Sequence, residues 1–241
     1  MRIFITLLMA VFFSGPAAAA TAEEDVARYV QIFSGETSAH QEAVESLAWM
    51  GMADTRVFDV IERRLLDEAQ KARDDRDEKN RVARYIRALG FSGQPKYVPT
   101  IERFLADRVY ERYARTALDD LPDYEKWNPL IANRASFDPR YSDDVNRILN
   151  MLRSDDPWLK RIAAKRIYFA HRDEVLLESL ATELKTAYMK SDRRYVDATA
   201  WMVKALGSAK HPKHRPLIEE VAARSTESKV VSYAKKALES Y

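Results

Sequence analysis

Two histidines three apart, His211 and His214 in the stretch HPKH, are the closest-spaced histidines in the chain and invite a metal reading. A zinc site takes three or four ligands in a fixed geometry. Here Pro212 follows the first histidine, no acidic residue adjoins the pair, and there is no cysteine anywhere. The pair reads as a solvated turn. The run Asp67–Asn80 (DEAQKARDDRDEKN) gathers Asp74, Asp75, Asp77 and Glu78. A calcium loop needs alternating oxygen ligands, a glycine at its sharp turn and a closing glutamate. That glycine is missing and Arg73 and Arg76 interrupt the series, which makes this a solvated helix end. Nucleophilic catalysis has nothing to build on, with four scattered histidines and no Gly-x-Ser-x-Gly turn. Six glycines leave no phosphate-cradling loop either. No catalytic, cofactor-binding or metal-binding residue is assigned, and no cofactor is expected.

Binding is better served. Pro157–Arg172 interleaves Lys160, Arg161, Lys165, Arg166 and Arg172 with Trp158, Tyr168 and Phe169, a mixture able to track a phosphate backbone. The same helix carries an ordinary core stripe in Leu159, Ile162, Ala163, Ile167 and Ala170, against which the aromatics are expected to pack. The whole chain has a net charge of only +2, and nucleic-acid binders show a clear basic excess. Nucleic acid is not expected as a partner. Residues 121–156 open with LPDYEKWNPLIANRASFDPRYSDD, in which Pro122, Pro129 and Pro139 punctuate the aromatics. This stretch is predicted to be a long irregular segment of the kind that often carries function. Its Tyr124, Trp127, Phe137 and Tyr141 form a candidate binding surface.

The elements that would position these residues are written as repeats. Tyr85–Asp107 (YIRALGFSGQPKYVPTIERFLAD) and Met202–Arg224 (MVKALGSAKHPKHRPLIEEVAAR) align without a gap at nine identities, with Gly90 and Gly207 spaced 117 residues apart. A third copy falls on Gly51, followed by Ile61-Glu62-Arg63-Arg64-Leu65, which echoes Ile101-Glu102-Arg103-Phe104-Leu105. In each copy a first helix with apolar residues at helical spacing, such as Asn80–Leu89, ends at a glycine expected to be a left-handed C-cap. A short turn with proline then starts a second helix. YARTAL (113–118) and YAKKAL (233–238) are matching first helices, and Pro157–Ala170 is another, capped by Asp156 and followed by Glu174–Tyr188.

This unit of roughly forty residues, with its "A-L-G" ending and following "P-x-x-x-P-x-I/L" helix, resembles HEAT repeats. The resemblance is good over 42–68, 81–107 and 197–224 and loose over 124–172. It implies an all-α fold, an α-solenoid of stacked antiparallel helix pairs, with about five to six repeats in one domain over 21–241. It also implies a surface. Equivalent positions on the second helices, Glu62, Arg63, Glu102, Arg103, Glu219 and Glu220, line up as a candidate protein-binding ladder, unless they serve as salt bridges between repeats. The expected function is a scaffold for a protein partner with no catalytic activity of its own. HEAT-like repeats also occur in bilin lyases and base-excision glycosylases, so the alternative is an enzyme or small-ligand binder using 121–156.

The address is written at the start. Met1-Arg2 is a short basic opening, Ile3–Phe13 an apolar run, and Ala17–Ala20 a small-residue tract. Residues 1–20 are therefore predicted to be a secretory signal peptide, cut after Ala20 or, at a second Ala-x-Ala site, after Ala22. The apolar run is short of the ~20 residues a membrane span requires. A secreted or periplasmic protein without a single cysteine must rest on its own core.

Overall fold

The computed structural model describes residues 22–71 and 75–241. The predicted signal peptide, with its cut after Ala20, lies outside the described residues, as does Asp74 of the acidic run. The described residues form twelve α-helices and no strand. In chain order these are α1 (Ala22–Ser34), α2 (His40–Met50), α3 (Thr55–Ala69), α4 (Arg76–Phe91), α5 (Val98–Glu102) and α6 (Glu111–Ile131). The second half holds α7 (Asp143–Arg153), α8 (Pro157–Phe169), α9 (Glu174–Ala187), α10 (Arg193–Ala209), α11 (Arg215–Arg224) and α12 (Ser228–Leu238). Consecutive helices pair, and the even-numbered helices stack in rows, α2 on α4 on α6 and α8 on α10 on α12. The fold is an all-α solenoid.

Local chemistry sets the ends of these helices. Asp54, Asp75, Asp156 and Asp192 each accept backbone N–H groups of the first turn that follows them, satisfying donors the helix cannot use itself. Asp75 caps α4 in this way, and so the acidic run ends as a helix cap. Gly51 closes α2 at φ 71, the left-handed region that favours glycine.

Gly90 and Gly207 depart from expectation. Neither is a C-cap; both lie inside helices, α4 and α10, which run on to Phe91 and Ala209. Their missing side chain is required by a neighbouring helix. A Cβ on Gly90 would sit 2.6 Å from the Ala117 carbonyl oxygen, and one on Gly207 would sit 2.5 Å from Ala237 Cβ. Ala117 and Ala237 are the same position of YARTAL and YAKKAL. The repeated glycine and the repeated alanine are therefore the two halves of one close helix crossing, used once in each half of the protein.

The segment 121–156 is also corrected. Residues 121–131 complete α6, residues 143–153 form α7, and the irregular connection between them includes a single turn at Arg134–Ser136. Proline costs a helix interior about 3 kcal/mol by removing a donor and crowding the preceding turn. Pro122 and Pro129 are both exposed, on the side of α6 away from its buried residues. Meanwhile Ala114, Ala117, Leu121, Tyr124, Trp127, Asn128 and Ile131 keep a buried helical stripe through both prolines. Burial of that stripe overrides the local penalty.

A buried ion cluster ties the first helix to the middle of the chain. Asp25 on α1 accepts from Arg147 on α7 at 2.5 Å and from Arg134 at 3.3 Å, while Arg134 pairs with Asp143 at 2.9 Å. Asp25 and Arg147 are each only 4% exposed. This bolt, with the contact of α2 on α7, brings the first pair of helices against the fourth.

Candidate functional site

That closure leaves a groove where the even-numbered row passes from α6 to α8. Its volume is about 630 Å³, and α2, α4, α6 and α8 all contribute to its walls. The floor is aromatic. Phe91 and Tyr124 pack with tilted rings, centroids 4.9 Å apart, and Trp127 lies edge-on to Tyr124 at 5.2 Å. Hydrogen bonds fix two of these rings: Tyr124 donates its hydroxyl to the Ala48 carbonyl at 2.9 Å, and Trp127 Nε1 donates to Asp156 at 2.9 Å. Asp156 thus caps α8 and orients a groove residue at once. Trp158 and Phe169, 39% and 67% exposed, stand at the rim on α8.

The walls carry opposite charge. On α6, Asp119, Asp120 and Asp123 face the cavity. Burial raises the Asp120 carboxyl above its ordinary value, opposed by Arg87 at 4.0 Å. On α8 the cations are Arg161, Lys165 and Arg166. Arg161 ion-pairs with Asp197 of α10 and lies over the Trp158 ring at 5.1 Å. Lys165 lies over Trp201 at 5.3 Å, and burial together with Arg161 lowers its ammonium below the usual lysine value. The Arg166 guanidinium stacks over Trp49 at 4.3 Å, and desolvation lowers it too. Such stacking holds a cation against an apolar surface.

The sequence-predicted residues therefore separate. Tyr124 and Trp127 meet in the groove, whereas Phe137 and Tyr141 lie on the connection before α7, half-buried beside the guanidinium groups of Arg134 and Arg140. The basic helix supplies the cationic wall, with one exception: Lys160 is buried, bonding the Leu152 carbonyl at 2.8 Å and pairing with Glu183. Trp158 and Phe169, expected to pack inside, instead edge the groove. His211 accepts the Lys213 N–H in a turn, and His214 is buried with its ring 5.7 Å from that of His211.

The ladder residues are divided between partners within the fold and solvent. Glu62 accepts from Thr100 at 2.5 Å, Glu219 pairs with Arg215 at 2.9 Å, and Glu220 accepts from Tyr188 and Arg224, each at 2.8 Å. Arg63, Glu102 and Arg103 are exposed. What sequence reasoning missed is the opposite face, where Trp49, Arg87 and the three α6 aspartates complete the groove. Only the spacing of Asp119, Asp120 and Asp123 within one helical turn carried a signal.

No protein-family model matches the chain, and no curated protein matches it in sequence. Among solved structures, human deoxyhypusine hydroxylase in complex with glycerol is similar to it at 14% identity and a TM-score of 0.38. That similarity covers 91% of this chain and 96% of that one. No helix among the described residues is long and apolar enough to cross a membrane.

Proposed function

We propose that this chain is an exported HEAT-like scaffold that binds a partner polypeptide in the groove between α6 and α8. The observation that carries the reading is the groove itself. It has an aromatic floor and rim between a wall of three carboxylates and a wall of three cations, and interface cores are enriched in such aromatic and arginine side chains. Export rests on the basic start, the Ile3–Phe13 run and the Ala-x-Ala sites, and N-terminal sequencing of the extracytoplasmic protein is expected to begin at Thr21 or Glu23.

The groove is tested with a photocrosslinking residue placed at Phe169, on its rim, and a control at exposed Arg112. One defined partner captured from Phe169 in the native compartment and absent from Arg112 supports the scaffold. Equal capture at both positions, or none, removes it. Charge reversal at Glu62, Glu102 and Glu219 tests the ladder as a second contact surface, and unchanged capture eliminates that surface. The groove volume also falls within the several hundred Å³ of small-ligand sites. A small metabolite that co-purifies with the protein, and is displaced by Trp158→Ala, supports that second reading.

A further inference from the structure

Trp49 sits on α2 between the groove and a second cavity of about 380 Å³ lined by α1, α2, Asp144 and Arg166. It is 6% exposed, and its indole Nε1–H has no acceptor among the described residues. The Nε–H of Arg166, stacked on that indole at 4.3 Å, has none either. Buried donors almost always find a partner, and here two adjacent ones lack it. Arg166 also has no ion pair with a described residue, while its groove neighbours Arg161 and Arg87 have Asp197 and Asp120 beside them. Glu45 and Asp144 act on it only at longer range. Across the groove Asp119 and Asp123 have no ion pair with a described residue.

We propose that the groove recognises an acidic side chain of its partner polypeptide, the carboxylate accepting hydrogen bonds from Trp49 Nε1 and Arg166, with a basic side chain of the same segment against Asp119 and Asp123. This rests on the scaffold reading above and names the chemistry of the segment. A carboxylate fits better than a phosphate group, because the three aspartates of the far wall repel a multiply charged anion. Planar bidentate acceptance is what a guanidinium favours. The aromatic floor of Phe91, Tyr124 and Trp127, with Trp158 and Phe169 at the rim, calls for an apolar residue between the two charges. In an extended peptide, alternate side chains share one face, so Lys-x-Phe-x-Glu presents all three together.

The test is an ¹⁵N-indole NMR titration of the full mature chain, whose four tryptophans give four resolvable N–H signals, with Trp49 assigned by Trp49→Phe. The probe is acetyl-Lys-Ala-Phe-Ala-Glu-amide, compared with its Glu→Gln and Lys→norleucine analogues and with 3-phenylpropionate. The Trp49 signal is expected to move downfield with the glutamate peptide and to stay in place with the glutamine analogue. The Trp127 signal, already bonded to Asp156, is expected to stay. Arg166→Gln is expected to weaken the peptide roughly tenfold, the scale of a charge-assisted hydrogen bond, and to abolish the preference for Glu over Gln. Arg166→Lys, which keeps the charge, retains the preference and controls for folding. Asp119→Asn with Asp123→Asn is expected to abolish the preference for lysine over norleucine.

A Trp49 signal that ignores the peptide, or responds equally to the glutamine analogue, overturns the proposal. So does saturation by 3-phenylpropionate at lower concentration than by the peptide, which makes a small carboxylate the occupant. Partner capture from Phe169 that survives Arg166→Gln defeats this inference and leaves the scaffold standing. No capture in the parent protein defeats the scaffold itself.

Discussion

Alanine at Gly90 and at Gly207 creates the same chemical change at two equivalent crossings, and the geometry requires different outcomes. In an unobstructed helix, Gly→Ala stabilises by about 1 kcal/mol. At Gly90 the new Cβ meets backbone: the Ala117 carbonyl oxygen at 2.6 Å and Ala117 Cα at 2.8 Å, with Ala117 Cβ third at 3.0 Å. Nothing flexible can yield, so α4 and α6 must separate, at the upper end of the ~1–3 kcal/mol typical of overpacking. After the propensity gain, Gly90→Ala is expected to lose about 2 kcal/mol. At Gly207 the obstacle is a methyl group, Ala237 Cβ at 2.5 Å, with Cα at an ordinary 3.4 Å. Adding Ala237→Gly removes that obstacle and exchanges one helix propensity for the other, so the double variant is expected within about 0.5 kcal/mol of the parent. Adding Ala117→Gly to Gly90→Ala exchanges propensities too, but the oxygen and Cα remain, and the double variant stays about 3 kcal/mol below the parent. Urea unfolding followed by far-ultraviolet circular dichroism measures both cycles. Rescue of Gly90→Ala by Ala117→Gly, as complete as the rescue at 207, would refute the backbone-limited crossing.

Asp25→Asn removes the shortest ion pair of buried Arg147, which keeps Asp144 at 3.0 Å and Asp143 at 3.8 Å. It is expected to cost about 2 kcal/mol in urea unfolding, the scale of one hydrogen bond to a charged group, whereas Glu23→Gln, in an exposed pair with Arg56, changes little. Asp156→Ala removes the α8 cap and orphans Trp127 Nε1; a loss of about 2 kcal/mol should accompany an altered Trp127 indole signal. His40 is buried, with Nε2 donating to the Ile32 carbonyl at 2.9 Å and Nδ1 accepting from the Tyr85 hydroxyl at 2.5 Å. Burial lowers its pKa from the ordinary 6.5. The unfolded chain therefore takes up a proton first as pH falls, so stability held above pH 6.5 declines from there towards the folded-state pKa. His171 and His214 are lowered by burial as well. The expected signature of His40 is thus a smaller loss of stability between pH 7.5 and 5.5 in His40→Gln than in the parent; equal losses rule it out.

The architecture was legible because its grammar is local. Apolar spacing and aspartate caps are properties of ten-residue windows, and Asp156 with Pro157 was placed correctly from sequence alone. What failed was the meaning of single residues whose reason is tertiary. Gly90 looks like a terminator in one dimension and is a crossing point in three. Pro122 and Pro129 look like breaks, yet the seven buried side chains of α6 outweigh them. The repeat itself drew attention to the second helices, where recurring Glu-Arg pairs stood out. The groove residues do not recur: Trp49, Asp123 and Arg166 each occur once, on three different helices, and only folding brings them into one cavity.

That contrast has a physical basis. Residues that repeat serve contacts that repeat, and each copy of the Gly–Ala crossing lets two helices of the array approach closely. A cavity arises where the array cannot continue its own pattern. Here α6 packs on α4 and α7, and α8 packs on α7 and α10, so the even-numbered row is interrupted between the third pair and the fourth. The Asp25–Arg147 bolt closes the first pair against that interruption and sets Trp49 beside Arg166. At this seam Trp49 Nε1 and Arg166 Nε have no hydrogen-bond partner among the described residues, and Asp119 and Asp123 line the same groove. Elsewhere the array pairs such groups between neighbouring repeats, as Glu62 with Thr100 and Glu220 with Tyr188 show. In the proposed scaffold, the interruption is what leaves this surface free for a partner from outside the chain.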